Sequence, residues 1–178
     1  MSNDPKADLI YAILTMDSYN RGYGFGITNL GAGSADKIGE YSIVQDISQT
    51  GWFTAGFYAI AYRNGTDTVI SYRGTDDNIG GGSRGGSDAR NGYGLALGAT
   101  PDSVFKVATD QARLAAEFYT SVTTKTDSEA AGSTVLTGHS LGGGLAGYVG
   151  LTSGTQAITF DHLPFDLAND NQAQRIAA

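Results

Sequence analysis

The sequence predicts a layered α/β domain: a largely parallel sheet with helices on its faces and an antiparallel hairpin at its edge. Three observations carry that expectation. Strand-like and helix-like segments alternate along the second half of the chain, some of the strands are apolar throughout, and residues 56–74 read as a hairpin. Strands that are apolar throughout are covered on both faces, the habit of parallel sheets sandwiched between helices. With 178 residues and no linker or internal repeat, the whole chain, 1–178, is expected to form one domain.

The first helix is expected over 6–20, KADLIYAILTMDSYN, where Leu9, Ile10, Ile13, Leu14 and Met16 recur at three- and four-residue spacings. It starts near Asp4-Pro5 and stops before RGYGFGITNLGAGS (21–34), a glycine-punctuated loop. GFYAIAYR (56–63) and DTVISYRG (67–74) are rich in aromatic and β-branched residues. Between them Arg63-Asn64-Gly65-Thr66 puts Asn-Gly at the turn centre, the strongest short hairpin signal. Residues 80–94 hold seven glycines in fifteen positions without apolar periodicity, an excursion too flexible for an element interior. Helical spacing returns over 102–122, where Val104, Val107, Ala108, Leu114, Phe118 and Val122 share a face and Asp102 caps the start after Pro101. STVLTG (133–138) reads as a buried strand, LGGGLAGYVGLT (141–152) as a small-residue helix and QAITF (156–160) as a second buried strand.

Composition excludes several classes. Without cysteine there is no disulfide framework, thiol nucleophile or cysteine zinc site, and two histidines cannot build a three-histidine metal cage. A net charge of -7 argues against a sequence-independent grip on nucleic acid or on an anionic membrane. No segment approaches the ~18 apolar residues of a membrane span, so no stable membrane insertion is expected. The polar start MSNDPKADLI has no signal-peptide pattern.

The chemistry lies in Gly138-His139-Ser140-Leu141-Gly142, a G-x-S-x-G between a predicted strand and a predicted helix. Such a serine sits on a sharp strand-to-helix turn that lifts its Oγ above the sheet, and the flanking glycines remove Cβ atoms that would clash across the turn. The helix that follows aims its N-terminal N–H groups and dipole at the serine, which favours a developing oxyanion. Ser-Tyr-Arg-Gly-Thr-Asp (71–76) ends a strand, where a backbone N–H can supply a second donor or Gly74 can simply make a turn.

VISYRGTD (69–76) followed by VLTGHSLGGGLAGYVG (135–150) resembles the class 3 lipase branch of the α/β-hydrolases, in which an aromatic-Arg-Gly-Thr strand end precedes a GHSLGG elbow. DSYNRGYG (17–24), GFYAIAYRN (56–64) and ITFDHLPFDLA (158–168) are similar to bacterial lipase-like proteins often fused to RTX calcium-binding repeats. The resemblance covers most of the chain and is weakest over 25–50 and 80–100. It implies an α/β-hydrolase-type layered sheet and hydrolysis of a small-molecule acyl ester or lipid through an acyl-enzyme on Ser140. It further implies that the N–H groups of Leu141 and Thr75 hold the oxyanion, that Arg73 anchors structure, and that 76–100 forms a lid or rim over the acyl pocket. No cofactor and no metal are implied.

The family's order is Ser, Asp, His, with acid and base well beyond the elbow, but only 38 residues follow Ser140 in this chain of 178. QAITF corresponds to the strand after the elbow helix; the further strand and loop that carry the acid and base have no counterpart. His139 precedes the nucleophile and is expected to turn away from Oγ into packing. His162 lies just past QAITF, at the sheet edge expected to hold Ser140, within about 10 Å for strands ~4.8 Å apart. It is the tentative base, with Asp166 or Asp161 as the orienting acid, although its place in the family is that of a polar strand end.

Three readings follow, in order of preference. The chain is the N-terminal part of a longer hydrolase whose acid and base lie elsewhere. Alternatively it is a compact esterase using His162, or a histidine from a second copy in a homo-oligomer. Lastly it is a non-catalytic protein that binds acyl ligands without turnover. Gly80-x-Gly82-x-x-Gly85 matches a dinucleotide fingerprint without opening a helix after a strand, and GGSRGGSD (81–88) is one imperfect calcium nonapeptide; neither defines a site. Most of the ten tyrosines are expected in packing, with Tyr93 in the glycine excursion set apart as a substrate contact. Acidity, absence of cysteine and the RTX resemblance imply secretion without an N-terminal signal; the alternative is a cytoplasmic protein.

Overall fold

The computed structural model describes residues 5–21, 37–46, 57–65, 67–74, 108–126 and 133–163. Within them the two-residue alternation of the strands sorts side chains into two cores, one on each face of a single mixed sheet. The elements in chain order are helix α1 (Pro5–Asn20), strands β1 (Lys37–Ile38), β2 (Tyr41–Asp46), β3 (Ala59–Asn64) and β4 (Asp67–Tyr72), helix α2 (Ala108–Thr126), strand β5 (Thr134–His139), helix α3 (Leu141–Ser153) and strand β6 (Gln156–Phe160). The six strands lie side by side in chain order. β1 to β4 are antiparallel to their neighbours, and β4, β5 and β6 run parallel.

Ala59 and Ala61 of β3, Ile70 and Tyr72 of β4 and Leu136 of β5 form one core with Ala115 and Phe118 of α2 and Leu141, Leu145 and Val149 of α3. Ile60, Tyr62 and Val69 point the other way and pack beneath Leu14 of α1. Thr137 shares that face, its hydroxyl 2.9 Å from the Thr15 hydroxyl of α1. The result is three layers, α1 on one side of the sheet and α2 with α3 on the other, as the α/β pattern predicts.

Several elements depart from their sequence reading, each for a packing reason. The β3–β4 hairpin forms, but it lies inside the sheet because β2 pairs with β3 on its outer side. Strands β1 and β2 escape a reading by apolar alternation: β2 is only half buried and carries polar Ser42, Gln45 and Asp46. The hairpin register pairs Asn64 with Asp67, so Gly65, at φ +59°, takes the first rather than the second turn position. Both tight hairpin turns need positive φ there, which glycine adopts without strain. β6 is half buried rather than enclosed, because among the described residues it is the outermost strand.

α1 does not bury the stripe its spacing suggests. Leu9 is 61% and Met16 40% exposed, while Thr15, Asp17 and Ser18 are buried beside Leu14. These polar side chains go inside because each has a partner: Thr15 meets Thr137, Ser18 donates to the Thr15 carbonyl of its own helix, and Asp17 accepts from Arg21 and Tyr62. α2 continues past Val122 to Thr126; its expected start over 102–107, the loop 22–34, the glycine excursion and Tyr93 lie outside the described residues.

Candidate active site

Parallel pairing fixes where the G-x-S-x-G serine sits. Tyr72 lies opposite Gly138, and His139 opposite Phe160, so β4, β5 and β6 end at one edge of the sheet. At that edge Ser140 turns the chain from β5 into α3 with φ 55° and ψ −124°, a conformation that is rare for a residue with a side chain. Holding it costs of the order of 1–3 kcal/mol, and such a residue persists only where its surroundings over-determine it. Here they do. The Ser140 N–H donates to the Phe160 carbonyl at 3.2 Å, and its own carbonyl accepts from Gly144 at 3.1 Å and from Leu163 at 2.9 Å. The hydroxyl makes no capping bond to the helix that follows.

The glycines two places before and after Ser140 are a steric requirement. A Cβ on Gly138 would run into the Gly142 carbonyl group, and one on Gly142 would meet the Tyr72 carbonyl oxygen and lie 2.7 Å from the carbonyl carbon of Arg73. Their absence lets the first turn of α3 settle onto the ends of β4 and β5, with the Leu141, Gly142 and Gly143 N–H groups at the helix N-terminus, which lack intrahelical acceptors. The end of β4 closes on the same point. A Cβ on Gly74, two residues past β4, would lie 3.3 Å from Ser140 Cβ, and Thr75 is the next residue in the chain. Thr75 itself is outside the described residues, as is Asp166.

Two histidines flank the elbow and face different environments. His139 turns to the α1 side of the sheet, its Nδ1 3.1 Å from the Tyr19 hydroxyl and the two rings edge to face at 6.0 Å. His162 is exposed, with Nδ1 3.3 Å from the Thr159 hydroxyl. Its backbone rests on the first turn of α3, where a Cβ on Gly143 would lie 2.7 Å from His162 Cβ. Asp161, at φ +44°, makes the turn after β6 that brings Leu163 back to the Ser140 carbonyl. His162 and Ser140 therefore share one corner, and Asp161 is exposed beside them.

Arg73 behaves as an anchor. It is 3% exposed, donates from Nη1 to the Arg21 carbonyl at 2.8 Å and lies over the Tyr58 ring at 4.5 Å. Arg21 in turn pairs with Asp17 at 2.5 Å, and the Tyr62 hydroxyl donates to the same carboxylate oxygen at 2.7 Å. Burial, with the Asp46 carboxylate adding to it, pushes the Tyr58 phenol up to about 12. Burial and the Asp17 carboxylate hold Tyr62 well above its ordinary value. Burial lowers the Arg21 guanidinium, but the hydrogen bond to Asp17 and the Asp17 charge, with Tyr62 and Tyr58 adding to them, together raise it above its ordinary value. Tyr19 is the site neighbour that sequence reasoning overlooked. Its partner is 120 residues away in the chain, and no local pattern records such a contact. Among the described residues no group of three or more His, Asp or Glu side chains is placed to hold a metal ion.

Two solved structures share this arrangement of strands and helices. One is a fungal lipase–inhibitor complex, with TM-score 0.57 and 17% identity over 85% of this chain and 55% of that one. The other is the native propeptide complex of the Rhizomucor miehei lipase, with TM-score 0.55 and 18% identity over 99% of this chain and 59% of that one. The chain thus has an α/β-hydrolase-like fold, similar to that of these lipases. It spans a little over half the length of each of these lipases. No family model matches the sequence and no curated protein matches it.

Proposed function

We propose that this chain carries the nucleophile half of a serine ester hydrolase acting on a carboxylic ester, a lipid or another acyl ester. The observation that carries the reading is Ser140 itself, with φ 55° and ψ −124° at the joint of β5 and α3 and a hydroxyl not spent on capping. A conformation of that cost at the end of a parallel strand is what raises an Oγ into a substrate's path. Oγ attacks the ester carbonyl carbon as a base takes its proton. The carbonyl oxygen becomes an oxyanion held by the N–H groups of Leu141 and Thr75. Collapse expels the alcohol, which receives the proton, and water then hydrolyses the acyl-enzyme. The lipase-like fold supports the substrate class, and the bacterial class 3 character, with export of the protein, rests on the sequence motifs alone.

The base is a histidine other than His139, which is turned toward Tyr19. His162 is the candidate within this chain, and Asp166 its orienting acid; the alternative is a histidine from outside the chain.

The test is covalent. The protein is incubated with a fluorophosphonate and the adduct located by mass spectrometry, and turnover of a short p-nitrophenyl ester is measured for the wild type, Ser140→Ala and His162→Ala. The expected adduct is on Ser140, and Ser140→Ala loses turnover by on the order of 10⁴-fold or more. Folded protein with no adduct on Ser140 overturns the enzyme reading and leaves an acyl-binding protein. Undiminished turnover in His162→Ala removes His162 and assigns the base to a partner or a further segment.

A further inference from the structure

We infer that Tyr19 is a positioning residue of the Ser140 site: its hydroxyl, wedged between Gly74 and His139, fixes the distance between the end of β4 and the elbow. This rests on the ester-hydrolase reading, in which Thr75 follows Gly74, Leu141 follows Ser140, and the two supply the oxyanion donors. Setting the gap between Gly74 and Ser140 sets how closely the two segments that lead into those donors approach.

The contacts are specific. The Tyr19 hydroxyl lies 3.1 Å from His139 Nδ1 and 3.4 Å from the His139 carbonyl oxygen. It also fills the space where a Cβ on Gly74 would stand, and the other neighbour of that space is the same His139 carbonyl, 2.5 Å away. One oxygen thus touches Gly74, which immediately precedes Thr75, and His139, which stands two residues before Leu141. A phenol has one proton. It serves either the His139 carbonyl or Nδ1, and with either choice the hydroxyl stays in contact with His139.

Tyr19 is itself held from behind. One residue on from the end of α1, the Arg21 carbonyl accepts from Arg73, which immediately precedes Gly74, and the Arg21 side chain pairs with Asp17 of the same helix. The last turn of α1 is therefore fastened to β4 at Arg73 and to β5 at His139. Oxyanion stabilisation depends steeply on donor placement, and displacement by about 1 Å is enough to cost rate. Removing one hydroxyl from this wedge should loosen the site without unfolding it.

The experiment compares Tyr19→Phe with Tyr62→Phe, which deletes a buried hydroxyl that bonds Asp17 on the same helix, away from the elbow. Tyr19→Phe is expected to lower kcat for a p-nitrophenyl ester about tenfold with KM within about twofold, while Tyr62→Phe leaves both near wild type. If the isolated chain labels without turning over, the rate of fluorophosphonate labelling at Ser140 is compared in the same way. Nitrogen NMR of the imidazole rings should report a changed His139 signal in Tyr19→Phe, because the ring loses its hydroxyl partner at Nδ1. Equal kinetics in the two variants, or a rate loss in Tyr19→Phe matched by Tyr62→Phe, overturns the positioning role. Wild-type protein that neither labels nor turns over overturns the hydrolase reading and this role with it, whereas normal chemistry with an unaltered His139 signal in Tyr19→Phe overturns the positioning role alone.

Discussion

At the scale of single residues, the elbow is decided by what is missing from glycine. Gly142 has the Tyr72 carbonyl oxygen where its Cβ would be, and the atoms in the way are backbone, which cannot swing aside. Gly142→Ala is therefore expected to destabilise the fold by about 3 kcal/mol, at the upper end of overpacking costs, and to lower Ser140 labelling because α3 must lift from the strand ends. Urea unfolding measures the first effect; a loss below about 0.5 kcal/mol would contradict the geometry. Gly138 and Ser140 are legible at this scale from the sequence, because a motif of five consecutive residues encodes a single turn. Tyr19 is not, since its role exists only once β5 is laid against α1.

At the scale of elements, α1 and α3 are held by opposite means. α3 packs with apolar and small residues and ends on Gly154, at φ +71° with open space around it, its cap N–H reaching the Gly150 carbonyl. Gly154→Ala meets no neighbour, so its cost is the backbone term alone, about 1 kcal/mol, read from the shift in urea midpoint. α1 is held by a buried polar clamp, Asp17 with Arg21 and Tyr62. Asp17→Ala leaves a guanidinium 90% shielded and a phenol without their shared acceptor, and is expected to cost about 3–5 kcal/mol, the range for breaking a buried pair from one side. Calorimetry of the variant checks it; a loss no larger than that of Gly154→Ala would mean the clamp is dispensable.

At the scale of the whole molecule, both faces of the sheet bury tyrosine hydroxyls, and this sets the alkaline limit of stability. Burial raises Tyr58 to about 12 and holds Tyr62 and Tyr72 well above the ordinary value of 10.0. Below pH 10 folded and unfolded chains both keep these protons. Above it the unfolded chain releases them while the fold retains them, so stability falls as pH rises, by about 1.4 kcal/mol per pH unit for each such tyrosine. For Tyr58 the fall levels off once pH passes about 12. Denaturant titrations from about pH 10.5 to about pH 12 should approach this slope, and Tyr72→Phe should reduce it by about 1.3 kcal/mol per pH unit. An unchanged slope in Tyr72→Phe would show that this phenol is not the one holding its proton.

The sequence by itself determined the α/β layering, helix α1, the β3–β4 hairpin and the β5–Ser140–α3 joint, because each is written in neighbouring residues through periodicity, turn chemistry or a steric motif. It also limited the chain to two histidines, whose fates it could not separate on composition. Tertiary structure decided the rest. It added β1 and β2, whose half-buried polar faces leave no apolar alternation to read, and so moved the hairpin from the edge to the interior of the sheet. It buried Thr15 and Asp17 of α1 while exposing Leu9 and Met16, because buried polar groups are cheap only where partners meet them, here Thr137 and Tyr62 from distant strands. The elbow motif and the strand order already turn His139 from Ser140 and set His162 near it; the tertiary structure supplied the partners, Tyr19 for His139 and the first turn of α3 for His162, which lie too far away in the chain for a local pattern to carry.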